Sequence, residues 1–180
     1  MDTLDAIKKR YSYRGSFKKT GVPRGDLKKI LTAGLAAPSG CNKQTTSLIA
    51  LDDPETISSI SDILKKNGFG GGNPPAGICV LTQKIPAYAD KYFYVQDYSA
   101  AIENMLLAIT ALGYASCWIE GQITESAQTQ KQIAALLNIP ADYIVVGYLP
   151  VGVPEKKGKR PDYKAFGERA WFNGFRKSGN

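Results

Sequence analysis

Two short stretches carry the side chains best suited to gripping a small molecule. Arg10, Ser12 and Arg14 lie within five residues, just past the end of a short N-terminal helix. Guanidinium forks match the geometry of phosphate and carboxylate groups, and a hydroxyl adds a neutral donor. The second stretch is Ala37-Pro38-Ser39-Gly40-Cys41-Asn42-Lys43-Gln44. Its Pro and Gly predict an irregular turn, where functional groups are often displayed. The amides of Asn42 and Gln44 each offer two donors and an acceptor, as a flat heterocycle with alternating acceptors and N–H groups requires. Taken singly, the first stretch also fits a solvated basic surface and the second an ordinary helix-to-strand loop.

Other chemistries are excluded or given no support. The 180 residues include no histidine, so His-based triads, zinc–histidine sites and histidine general acids are absent, and no metal site is expected. Cys41, Cys79 and Cys117 are odd in number, widely spaced and lack a C-x-x-C pattern, which fits a reducing cytoplasm better than a disulfide framework. Cys41 reads as a small packing residue, and Cys79, Cys117, Met105 and Trp118 as core. No apolar run approaches the roughly 20 residues that span a bilayer, and the N-terminus shows no signal-peptide core. A cytoplasmic location without membrane attachment is therefore expected. The net charge of +7 is partly clustered, at Lys8-Lys9-Arg10 with Arg14 and at Lys156-Lys157-Gly158-Lys159-Arg160. Nucleic acid, an anionic membrane or a phosphorylated small molecule would each complement it.

The elements that must position these groups follow from periodicity. Asp2 to Lys9 reads as a short amphipathic helix. Val22-Pro23 opens a second, with Leu27, Ile30, Leu31 and Leu35 at helical spacing, ended by the Pro38–Gly40 turn. Residues 47–51 form an apolar strand, and Asp53-Pro54 starts a helix with a stripe of Ile57, Ile60, Ile63 and Leu64. A Gly/Pro loop over 68–75 follows, then a strand at 78–81. Its glycines lack the spacing of a nucleotide-binding motif. Residues 87–96 are loop or helix. The strongest helix spans Asp97–Leu112, nearly apolar all round as a central buried helix would be, with Asp97 as its N-cap. A strand at 115–119, a turn at Glu120-Gly121, a helix over 124–137 and a last strand at 143–151 complete the alternation. Together these predict one α/β or α+β domain over residues 1–180, with the long central helix packed against the sheet. The aromatic tail, residues 154–180, has little periodicity and is expected to pack on a partner subunit.

In combination the stretches resemble the nitroreductase family of flavin enzymes over most of the chain. Arg10-Tyr11-Ser12-Tyr13-Arg14-Gly15-Ser16-Phe17 resembles the family's R-x-S-x-R-x-F segment, and residues 37–44 its A-P-S-x-x-N-x-Q turn. Residues 97–108 followed by Leu112-Gly113-Tyr114-Ala115-Ser116-Cys117-Trp118 resemble its central helix and G-x-x-S-x-W strand. Asn138-Ile139-Pro140, Val145-Val146-Gly147-Tyr148 and Lys159-Arg160-Pro161 fit its closing part. The resemblance implies an α+β fold in three α/β/α layers, with a central mixed sheet around a long buried helix, and an intertwined homodimer with FMN at the subunit interface. It also implies ping-pong hydride transfer from NADH or NADPH to a small-molecule acceptor such as a nitroaromatic or quinone.

By the same resemblance Arg10 and Ser12 match positions holding the FMN phosphate or ribityl chain, and Lys159 and Arg160 match basic phosphate ligands. Arg14 matches a basic position near the pyrimidine edge. Pro38, Ser39, Asn42 and Gln44 match the turn lining the ring, and Glu120 and Gly121 a segment whose backbone approaches N5. No side chain is assigned as catalytic, because flavin N5 carries the chemistry. A flavin phosphate would also use the basic clusters, so no nucleic-acid partner is expected. Three departures stand out: Thr45-Thr46 replaces the family's usual Pro-Trp, the segment between Gln83 and Gln96 is short, and Gly158 precedes Lys159-Arg160. The alternatives are specialised flavin chemistry on the same scaffold, such as dehalogenation, enoyl-type reduction or flavin breakdown, and a non-catalytic flavin- or nucleic-acid-binding protein.

Overall fold

The central strand sets the architecture. Every residue of β2 (Ala76–Thr82) is buried, and its side chains alternate between two apolar clusters. Ala76, Ile78 and Val80 enter one, Cys79 and Leu81 the other. A strand buried on both faces must be covered on both, and it is. The computed structural model describes residues 1–66 and 72–175, so residues 68–71 of the expected glycine-rich loop lie outside the described residues.

β2 pairs antiparallel with β1 (Thr46–Leu51) on one side and with β3 (Ile144–Val151) on the other. A bulge between Val80 and Leu81 leaves Val146 as the extra residue on β3. One face is covered by α2 (Arg24–Leu35) and α4 (Tyr94–Ala111), through Leu27, Ile30, Ile102, Met105 and Ile109. The other is covered by α3 (Pro54–Lys66), the single turn α5 (Gly121–Thr124) and α6 (Ala127–Leu136), through Ile57, Ile60, Leu64, Ile123 and Ile133. This is the expected three-layer α/β/α arrangement. α1 (Thr3–Lys9) lies against α4, capped by Asp2, whose carboxylate accepts from the Asp5 N–H.

Three local expectations shift. The strand expected at 115–119 is extended chain held by separate bridges, Ala115 to Gly152 and Ile119 to Tyr148. These share one register, which sets Pro150 opposite Cys117. Proline has no N–H to donate, so the ladder is interrupted at its middle. A single parallel bridge from Ser116 to Ser12 ties the N-terminal segment to this extended chain, while the three named strands pair antiparallel throughout. The helix expected over 124–137 is broken: α5 ends at Thr124, and Ser126 caps α6 by accepting from the Thr129 N–H. Finally, α4 begins at Tyr94, so Asp97 lies inside its first turn rather than capping it.

Candidate functional site

Arg10-x-Ser12-x-Arg14 is extended, and extended chain alternates its side chains. Tyr13 is buried and packs edge-on against the buried Phe17, with ring centroids 5.1 Å apart, while Tyr11 packs on this small cluster. Arg10, Ser12 and Arg14 instead line a cleft of about 350 Å³ together with Lys159, Arg160 and Asp162. The segment is tied to the sheet by the Tyr13 N–H donating to the Ser116 carbonyl, 2.8 Å.

The C-terminal chain reaches this place by running beside the N-terminal one. The Lys18 N–H donates to the Val153 carbonyl and the Glu155 N–H to the Ser16 carbonyl. The Gly158 N–H then donates to the Tyr11 hydroxyl, 3.1 Å. A Cβ at residue 158 would sit 2.3 Å from the Tyr11 ring, so the glycine ahead of Lys159-Arg160 lets the two segments meet. Five sequence-predicted residues (Arg10, Ser12, Arg14, Lys159 and Arg160) are thus brought together, and an adjoining cleft of about 540 Å³ adds Lys156 and Lys157. Among the described residues Arg14, Lys159 and Arg160 make no ion pair, and Arg160 stacks over the Tyr163 ring. Arg10 pairs with Glu103 through Nε at 3.5 Å. Four cations and a hydroxyl outweigh the two carboxylates beside them, Asp162 in the lining and Glu103 on Arg10, and form a donor set suited to a phosphate.

Pro38, Ser39 and Gln44 line a second, smaller cleft of about 170 Å³ with Thr46, Asp97 and Ala101. The backbone here is contorted: Cys41, Asn42 and Gln44 all have φ between 50° and 54°. Left-handed conformations are costly for residues other than glycine, and they cluster at functional sites. Asn42 is exposed at the tip and does not line the cleft. The Ser39 hydroxyl accepts from the Gln44 N–H, 3.0 Å. Among the described residues the side-chain amides of Asn42 and Gln44 have no hydrogen-bond partner, and the buried Thr46 hydroxyl is also unsatisfied. At the cleft itself the Gln44 amide and the Thr46 hydroxyl are the open polar groups, and an amide-rich planar ring would complete them. Thr45 is buried, and its hydroxyl donates to Asp97.

Glu120 and Gly121 line neither cleft. Glu120 precedes α5 and accepts from the Tyr98 hydroxyl, 2.8 Å. Burial, reinforced by Glu120, pushes the Tyr98 phenol up, so it stays a donor. A Cβ on Gly121 would meet only Glu125, 3.8 Å away, so the face above this glycine is open.

One helix joins the three parts. α4 holds the turn through Asp97, the Glu120 segment through Tyr98 and Arg10 through Glu103. Asp97 and Glu103 are about 9 Å apart along it at 1.5 Å per residue. Asp97, Glu103 and Tyr98 were not among the expected site residues. An acid on an otherwise apolar helix was the available signal for Asp97. Two thiols are buried as expected, and burial pushes Cys79 up to about 12 and Cys117 to about 11, with Arg14 opposing the rise at Cys117; Cys41, expected as a small packing residue, is instead exposed on the turn. Among the described residues no helix is long and apolar enough to cross a membrane.

Known proteins carry the same frame. The model of the nitroreductase family matches residues 7–72 and 66–153. A protein of Archaeoglobus fulgidus, named for NADH dehydrogenase and NAD(P)H nitroreductase activity, is 34% identical over 143 residues, 78% of each chain. An FMN-dependent nitroreductase from Clostridium difficile R20291 superposes with a TM-score of 0.80 at 28% identity, covering 96% of this chain and 99% of that one. A nitroreductase with bound FMN from Bacteroides fragilis NCTC 9343 does so with a TM-score of 0.75 at 26% identity, covering 92% and 96%. With its layers, its ordered segments and these relatives in agreement, the chain belongs to the nitroreductase family.

Proposed function

We propose that this protein is an FMN-dependent oxidoreductase that passes hydride from NADH or NADPH to a small acceptor such as a nitroaromatic or quinone. The observation that carries the reading is the convergence of Arg10, Ser12, Arg14, Lys159 and Arg160 from opposite ends of the chain onto one cleft. Bound FMN supplies the hydride chemistry at its N5 atom. The protein's part is to bind, orient and grant access. Arg10, Ser12, Lys159 and Arg160 would hold the phosphate and ribityl chain by charge-assisted hydrogen bonds. Arg14 would place fixed positive charge at the pyrimidine edge, favouring electron density there. Pro38, Ser39, Asn42 and Gln44 would fix the ring, and the open face above Gly121 would admit close approach. The relatives named for FMN and NAD(P)H support both cofactors.

The two clefts share no lining residue on one protomer, which favours a site completed between two copies. The tail supports the same arrangement. Phe166, Phe172 and Phe175 are 67%, 78% and 72% exposed, an apolar load that a partner subunit would cover. The chain is then a single domain whose C-terminal tail packs on its partner, and its unpaired cysteines suit the cytoplasm. An absorbance spectrum with and without added FMN, followed by anaerobic NADH or NADPH, tests the assignment. Flavin bands that bleach with either nucleotide are expected. A colourless protein that cannot be reconstituted would overturn it.

A further inference from the structure

The turn at 39–45 combines strain with deep anchorage, and the anchor is a single buried carboxylate. Asp97 is 4% exposed, and each of its oxygens is engaged. Oδ1 accepts from the Gly40 N–H at 2.8 Å, and Oδ2 accepts from the Thr45 hydroxyl at 2.8 Å. Those donors stand at the entry and exit of the turn. Between them lie Cys41, Asn42 and Gln44, the three residues in left-handed backbone.

Both ends are otherwise fixed. At the entry, a Cβ on Gly40 would lie 2.6 Å from the Phe93 ring, so this backbone is pressed against the residue that precedes α4. At the exit, Thr45 is 2% exposed, and its carbonyl accepts from the Gln83 N–H and the Thr82 hydroxyl at the end of β2. The main chain of Thr45 therefore belongs to the sheet, and its side chain to the helix. The tip is exposed and, among the described residues, is tied only within the turn: the Asn42 and Lys43 N–H groups donate to the Ser39 and Gly40 carbonyls, and the Gln44 N–H to the Ser39 hydroxyl. A strained loop holds one shape only where its surroundings over-determine it. Here the packing at Gly40 and the sheet contacts of Thr45 fix each end separately, and the Asp97 carboxylate is the side chain that joins the two.

We propose that Asp97 and Thr45 form a clasp that holds the turn in its ligand-ready shape, with Asp97 as a positioning residue that need not touch the ligand. The inference rests on the FMN reading of this turn but concerns a different question, namely what keeps Pro38, Ser39 and Gln44 in place. Without the Thr45 hydroxyl, one Asp97 oxygen loses its partner and the link between the two ends is lost, although the Thr45 carbonyl stays tied to β2, so the left-handed residues between them can relax.

Thr45→Val keeps the shape of the side chain and removes the donor, whereas Thr45→Ser keeps the donor. Three readouts apply: FMN affinity by quenching of flavin fluorescence, apoprotein melting temperature, and the rate of tryptic cleavage after the exposed Lys43 in the apoprotein. For Thr45→Val the dissociation constant for FMN should rise roughly tenfold, as for losing a hydrogen bond to a charged group. Cleavage after Lys43 should accelerate by a similar factor with little change in melting temperature, and Thr45→Ser should retain the parent behaviour in all three. A Thr45→Val protein that binds FMN and resists cleavage like the parent overturns the clasp and leaves the cofactor assignment standing. So does one that only melts earlier. Should the parent take up no FMN, the proposed function falls, and cleavage after Lys43 alone decides the clasp. Asp97→Ala is the harsher variant, because it takes the acceptor from both the part-buried Gly40 N–H and the buried Thr45 hydroxyl.

Discussion

In the cationic cleft, four positive side chains hang from two neighbouring backbone segments, and their heads are held by few partners. In the 39–45 turn the arrangement is inverted. There the side chains that would meet a ligand are neutral, and the backbone is fixed by a buried carboxylate, a ring packed on Gly40 and a tie to β2. The cleft supplies charge with loose geometry, and the turn supplies geometry without charge. Such a division suits a ligand with an anionic end and a flat end. Phosphate accepts donors from many directions, whereas a ring must be held in one plane for its reactive edge to be useful.

The most direct way to break this contrast is to remove the charge. The double variant Arg10→Ala/Arg14→Ala should weaken FMN binding by roughly a hundredfold or more, since each charge-assisted contact is worth about tenfold. Affinity of the parent should also fall as salt is raised, because these cations are partly solvated and screening acts on them. A titration showing parent-like affinity in the double variant would remove the cleft from the site and leave the turn without its counterpart.

A smaller effect comes from moving the cations without removing any. In Gly158→Ala the new methyl would meet the Tyr11 ring at 2.3 Å and strain the hydrogen bond from the residue 158 N–H to the Tyr11 hydroxyl. The tail must shift by part of an ångström, carrying Lys159 and Arg160 with it. Overpacking of this kind costs about 1 kcal/mol or more, so FMN affinity should fall about fivefold, with circular dichroism unchanged. An unaltered affinity would mean that the tail cations lie outside the binding set.

These two segments also mark what periodicity can reveal. The stripe of Ile57, Ile60 and Leu64 and the apolar run of β2 define elements by local pattern, and they are where expected. The site residues on extended chain were identifiable by type, because Arg10, Ser12 and Arg14 need only alternate to share a face. Tyr94-Val95-Gln96 show no apolar spacing and so conceal the first turn of α4, which begins three residues before Asp97 and makes this acid a buried anchor rather than a cap. The broken strand at 115–119 depends on Pro150, which lies far along the chain and has no local signature. Gly158 could be seen as a glycine, but its reason exists only in the Tyr11 ring opposite. What was missed consists of long-range pairings, in which one residue's role is set by another that only the fold brings near.

The smallest effect sharpens the contrast most. Glu103 meets Arg10 through Nε at 3.5 Å, with the two side chains 24% and 50% exposed for arginine and glutamate respectively. That contact leaves the terminal nitrogens of the guanidinium free for the cleft, so Glu103 orients Arg10 while partly cancelling its charge. Exposed pairs of this kind contribute at most about 1 kcal/mol, and here the two influences oppose each other. Glu103→Gln should therefore change FMN affinity by less than about threefold at 0.15 M salt. In the cleft, then, removing an orienting contact costs little, whereas removing the Thr45 hydroxyl at the turn costs about tenfold. If Glu103→Gln instead weakened binding as much as Thr45→Val, the cleft would depend on geometry as strictly as the turn, and the division of labour between them would fail.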